Sequence, residues 1–355
     1  MTASCASLPA RQRLTLAGLL ALLLTLGWLP ALAAPAEPTP GEAAFQTPQD
    51  QGFFISPKVR RLFNSHTSYQ FGNPFERALN PLSRLEFPLD SWWGGLEAGY
   101  AQPRYSWRLE LMTNISRDTD GGRMKDSDWD DVNRPGVKTI YSESYCRLKP
   151  SLTLDGSLEY SLRQHVDLPQ GLDLRPLLGL RYQRYTFVTY DGLQVSRPEG
   201  QDNWVPDVVL GGEGIWFRQE YLQPYLGLRL GYGFDLPKAW GQGRRGELSL
   251  QGDWAYVWGD NRDHHLLRTG DRITQEHTTG DAWHAALGLK VPLGQVAFLS
   301  LSGDALRIRT SGQHELYNSA LGEGVLTSFD YGVEAWSDQY SLTLALEIPF
   351  DSLWR

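Results

Sequence analysis

The sequence predicts an all-β chain: a transmembrane, antiparallel up-and-down β-barrel of about ten strands with long extracellular loops. Three observations predict it. Apolar and polar residues alternate with period two over unusually long runs. No stretch after residue 33 reaches eighteen consecutive apolar residues, so membrane crossing by a helix is not expected. Composition points the same way, with 36 Gly, 16 Tyr and 13 Trp against only 3 Met, as suits strands bordered by aromatic girdles.

The alternation is cleanest near the C-terminus. Tyr340, Leu342, Leu344, Leu346, Ile348 and Phe350 share one face, and Ser341, Thr343, Ala345, Glu347 and Pro349 the other. Leu152, Leu154, Leu158 and Tyr160 alternate with Thr153, Asp155, Ser157 and Glu159. Tyr105, Trp107, Leu109 and Leu111 alternate with Ser106, Arg108 and Glu110. Further runs begin near Thr67, Leu85, Leu177, Val208, Glu247, Trp283 and Ala297. Polar stretches at 114–144, 190–205, 259–281 and 310–336 read as the long outer loops. A solute-conducting pore is disfavoured, because side chains largely fill the lumen of so narrow a barrel.

The N-terminus reads as a signal peptide over residues 1–33: Arg11 and Arg13 precede an apolar stretch that ends in Ala31-Leu32-Ala33. Residues 34–60 read as a disordered lead-in, rich in Pro, Ala, Glu and Gln at its start, and 61–355 as the barrel. Cleavage would remove Cys5 and leave Cys146 alone, excluding an internal disulfide. The net charge of −8 would fall to about −10, a balance that disfavours nucleic acid and suits a cationic partner.

Two polar stretches carry residues capable of chemistry. Asp126 and Asp128 are two apart and project to one side of an extended chain, as do Asp263 and His265. A carboxylate beside a histidine fixes its tautomer and raises its basicity, so the imidazole can take a proton from water. Two close acids push each other's pKa values apart, leaving one protonated. Calcium binding or simple solvation of the acidic stretch Asp118–Asp131 fits the same spacing. No metal site is expected: adjacent His264 and His265 diverge on a strand, and no HExxH helix is present. No cofactor is implied either.

The order of several short motifs resembles the omptin family of outer-membrane proteases. They are Ser83-Arg84-Leu85-Glu86-Phe87, Gly121-Gly122-Arg123-Met124 through Asp126-Ser127-Asp128-Trp129, Arg184-Tyr185-Thr186-Phe187, Pro224-Tyr225-Leu226-Gly227-Leu228, and Asp260-Asn261 through Asp263 and His265 to Arg272-Ile273-Thr274. The resemblance implies a ten-stranded barrel in a Gram-negative outer membrane, with an extracellular cleft that hydrolyses peptide or protein substrates. Asp126 and His265 would flank the attacking water, Asp128 would tune Asp126, and Asp263 would orient His265. Aligned without a gap, Arg262 and His264 instead take the dyad positions, the pattern of an inactive barrel with a structural, adhesive or binding role. A one-residue insertion, absorbed by a bulge, restores Asp263 and His265. The family's substrate-binding acids fall at Asp260 and at Gln70, the latter neutral, with Glu76 nearby. For lipopolysaccharide, an outer-membrane lipid partner of the family, Tyr182 and Arg184 match part of the site. Glu220 and Gly280 stand where basic side chains are expected, which weakens any dependence on that lipid.

Overall fold

A computed structural model describes residues 52–350 apart from 121, 199 and 238–243. The expected signal peptide and most of the lead-in lie outside the described residues. Fifteen extended segments form one antiparallel sheet: β1 (Gly52–Leu62), β2 (His66–Phe71), β3 (Ser83–Pro88), β4 (Ser91–Ala101), β5 (Tyr105–Asn114), β6 (Met124–Asp128), β7 (Ile140–Leu148) and β8 (Leu152–Tyr160), followed by β9 (Leu172–Ser196), β10 (Val205–Asp235), β11 (Arg245–His265), β12 (Arg272–Leu293), β13 (Ala297–Tyr317), β14 (Val325–Phe329) and β15 (Glu334–Pro349). They make ten barrel strands. β1/β2, β3/β4, β5/β6 and β7/β8 are lower and upper halves of four interrupted strands, and β14 is a short appendage on β13. The lower ring closes β1 on β15, and the upper ring closes β2 on the same strand.

The interruptions re-satisfy their own backbone groups, as a break in a buried wall requires. Asn64 turns the chain at φ 49°. The Leu89 amide then donates to the Ser65 carbonyl at 2.9 Å, and the Ser65 amide donates to the Asp90 carboxylate at 2.7 Å.

Two storeys result. Around the lower one Leu96, Leu111, Leu178, Leu228, Leu250, Leu287, Leu301 and Leu344 face outward and exposed. Trp92, Trp254, Trp258, Trp283 and Tyr340 rim this belt above, and Phe53, Tyr160 and Tyr232 below. This is the lipid-facing surface of an outer-membrane barrel. Inside it, charges pair across the lumen: Lys58 with Glu97 and Glu110, Arg60 with Glu110, Arg181 with Asp155, and Arg229 with Glu247. Above them an apolar plug of Leu62, Trp93, Met112, Tyr185, Phe87, Phe187 and Phe217 closes the bore.

Two expectations are corrected. The barrel begins at Gly52, not residue 61, because Phe54 and Ile55 already pair with Pro349 and Ile348 of β15. The polar stretches hold more strand than expected: β6 and parts of β7 lie in 114–144, and β11 and β12 run through 259–281 except for the turn at 266–271. Above the lipid both wall faces are polar, so the alternation fades while the hydrogen-bond ladder continues.

Candidate active site

The upper storey stands above the aromatic rim, and its inner face carries the candidate residues. In β6, Met124 is buried in the apolar plug and Lys125 is exposed, so alternation turns Asp126 and Asp128 inward. Asp126 lies opposite Leu85 on one side and Ser142 on the other, and Asp128 opposite Ser83 and Ile140.

β11 approaches from another part of the wall. Its ladder with β12 runs unbroken from Glu247↔Lys290 to His265↔Arg272, without the expected bulge. Asn261, Asp263 and His265 therefore share the inner face, while Asp260, Arg262 and His264 share the outer one. Asp263 is fully buried, and its Oδ2 lies 2.9 Å from His265 Nε2. His264 points away, 3.6 Å from Asp271. The turn beyond is held by the Leu266 amide on the Gly214 carbonyl at 2.9 Å.

The acids and the imidazole feel one another. Burial, then Asp128 and Asp263, push the Asp126 carboxyl up to about 7, against the opposing pull of His265 and Arg268. Burial also raises Asp128, restrained by a hydrogen bond from Ser83. Burial works against a charged His265, but Asp263 and Asp126 outweigh it and raise its pKa. Near neutral pH this group can hold, accept or release a proton.

The expected substrate-binding pair is not there. Asp260 faces out and pairs with His277 at 2.9 Å. Gln70 also faces out: its amide donates to Glu334 at 3.1 Å and its carbonyl oxygen accepts from Arg84 at 2.6 Å. The physical reason is parity, since Asp263 and Tyr69 hold the inward positions of their strands and Asp260 and Gln70 are odd-numbered steps away. Tyr182 and Arg184 lie on the outer wall. Tyr182 donates to Glu220 at 3.1 Å, and Glu220 also pairs with Arg218 at 3.2 Å. In the acidic stretch Asp118 pairs with Arg147 and Asp120 with Arg61.

Three partners escaped the sequence reading. The Tyr69 hydroxyl donates to Asp263 Oδ2 at 2.5 Å. Glu276, opposite Asn261, is buried with His314 at 2.7 Å. Ser83 supports Asp128. Thr274 and Glu276 reach the same face only through the β11–β12 register, which sets them opposite Asp263 and Asn261; no local signal marks Tyr69, which lies 194 residues from its acceptor.

Comparison with known proteins bears on both fold and lineage. A family model described as the omptin family matches residues 102–286, more than half of the chain. No curated protein matches in sequence. Among solved structures, the outer membrane protease OmpT of Escherichia coli superposes with a TM-score of 0.70 at 18% identity, over 84% of this chain and 97% of that one. The translocator domain of the autotransporter NalP from Neisseria meningitidis is similar only at a TM-score of 0.32 and 10% identity, over 98% of this chain and 100% of that one.

Proposed function

This chain belongs to the omptin family, and from that premise we propose that it is an outer-membrane endopeptidase acting on peptides or proteins exposed at the cell surface. The observation that carries the reading is the Asp263–His265 pair on the same inner wall as two carboxyls whose proton affinity is raised.

In the proposed reaction a water lies between Asp126 and His265. With Nε2 committed to Asp263, His265 accepts the water's proton at Nδ1, and the hydroxide formed attacks the scissile carbonyl carbon. The proton shared by Asp126 and Asp128 steadies the developing oxyanion and the attacking oxygen. Collapse of the tetrahedral intermediate breaks the C–N bond, and His265 returns its proton to the leaving amine. No covalent acyl-enzyme is required.

Specificity for basic residues is looser in this proposal than in the family pattern, because Asp260 and Gln70 face outward and Asn261 takes the inward position beside the dyad. Lipopolysaccharide is proposed as a neighbour rather than an obligatory activator, since Glu220 occupies Tyr182 and Arg218.

The test is cleavage of a fluorogenic peptide library, including an Arg-Arg member, by refolded protein. Wild type is expected to cleave, and His265→Ala to lose at least about 10²–10⁴-fold in rate. Undiminished cleavage by His265→Ala would falsify the mechanism. A folded wild type inert towards the whole library would favour the non-catalytic barrel.

A further inference from the structure

We infer that Tyr69 is a positioning residue of the dyad: its hydroxyl, donated to the same Asp263 oxygen that holds His265, sets how strongly that carboxylate draws a proton onto the imidazole. The inference rests on the peptidase reading for its kinetic consequence, not for its electrostatic one.

The geometry is specific. Asp263 Oδ2 is shared between the Tyr69 hydroxyl at 2.5 Å and His265 Nε2 at 2.9 Å. Asp263 Oδ1 is buried without a hydrogen-bond partner among the described residues. The tyrosine thus anchors the carboxylate from across the barrel, since β2 and β11 are not neighbours in the sheet. Tyr69 is itself 1% exposed, and its ring stacks on Phe217 at 5.4 Å and 15°. Phe217 stacks on Phe87 at 4.2 Å and is the ladder partner of Asp263. The hydroxyl therefore has little freedom to aim elsewhere.

A shared acceptor divides its charge. A second donor on Oδ2 lowers the electron density that it offers His265, so the imidazolium is stabilised less than by an unshared carboxylate. Burial and the Asp263 charge both hold the Tyr69 proton on, so it donates throughout the working pH range. The other groups facing His265 are Asp126 and Asp128 from β6, which favour its charged form, and Arg272 at the start of β12, which opposes it. Glu276 of β12 faces Asp263 and Tyr69 and is tied to His314. None of these donates to Oδ2, so Tyr69 is the tuning contact that one substitution can remove while leaving the ring in place.

The experiment uses the full barrel with ¹³C-labelled histidine, the His265 resonance being assigned from His265→Gln. Its titration is followed by NMR in wild type and in Tyr69→Phe, alongside the pH dependence of kcat/KM. The Tyr69→Phe titration is expected about one pH unit higher, and kcat at pH 7 down by up to about tenfold with KM little changed. Site-specific 3-fluorotyrosine at position 69, a stronger donor of nearly the same shape, should move the titration downward, and this arm serves if Tyr69→Phe does not fold. An unmoved His265 titration in either folded variant overturns the inference, even if thermal stability falls. If wild type cleaves nothing, the peptidase reading fails while the titration still decides the role of Tyr69.

Discussion

The two storeys of this barrel handle buried charge in opposite ways. In the lower lumen acids meet cations: Glu110 has both Lys58 at 2.7 Å and Arg60 at 2.8 Å, and Arg229 reaches Glu247 at 2.7 Å. In the upper storey Asp126, Asp128 and Asp263 gather with a single imidazole, and Asp126 Oδ1 and Asp263 Oδ1 are buried without partners among the described residues. Matched charge gives a wall that holds its shape. Unmatched negative charge costs stability and raises proton affinity at the one place where a proton has work. The same ten strands carry both, separated by the aromatic plug around Phe87 and Phe217.

The contrast can be broken first at its reactive end. Asp126→Asn removes the carboxyl pushed up to about 7 and should lower kcat by about 10²–10⁴-fold. The same change should stabilise the barrel in alkali. A carboxyl with a raised folded-state pKa contributes its full stability below its unfolded value near 3.8, and that contribution is lost as pH rises through about 7. Melting at pH 8.5 should therefore favour Asp126→Asn by roughly 1–2 kcal/mol, with the advantage gone at pH 4; equal melting at both values would count against an unmatched charge.

In the lower lumen the expectation is reversed. Lys58→Met strips one cation from Glu97 and Glu110 and should cost roughly 3–5 kcal/mol of stability, read as a lower denaturant midpoint. Cleavage per folded molecule should stay within about twofold, since the plug separates the two regions. A large loss of kcat without a loss of stability would show that the storeys are coupled.

The pH profile sharpens the comparison further. Rate should rise as His265 loses its proton, above the usual histidine value because that pKa is raised, and fall as the proton on the Asp126–Asp128 pair leaves. The result is a bell centred near neutrality, with the alkaline limb displaced or lost in Asp128→Asn. The smallest effect belongs to the outer wall: Asp260→Asn should alter the ratio of Arg-Arg to neutral-peptide cleavage by less than about threefold, because its carboxylate pairs with His277 outside the cleft.

Much of this was legible in the residues themselves. The strand alternation of β15, the apolar belt and the paired Asp126/Asp128 and Asp263/His265 are local patterns, since a side chain's face on a strand depends only on odd or even position. The candidate catalytic residues could be picked out on that ground, and the upper strands could not, because a wall wetted on its outer face offers no apolar rhythm.

What tertiary structure alone decided concerns register and distance. Asp260 and Asp263 differ in parity, but only the unbroken β11–β12 ladder excludes a bulge that would have turned both inward. Likewise the contact of Tyr69 with Asp263, and of Glu276 with His314, joins residues brought together by barrel closure. Sequence periodicity determines which way a side chain points; closure of the sheet determines what it meets there.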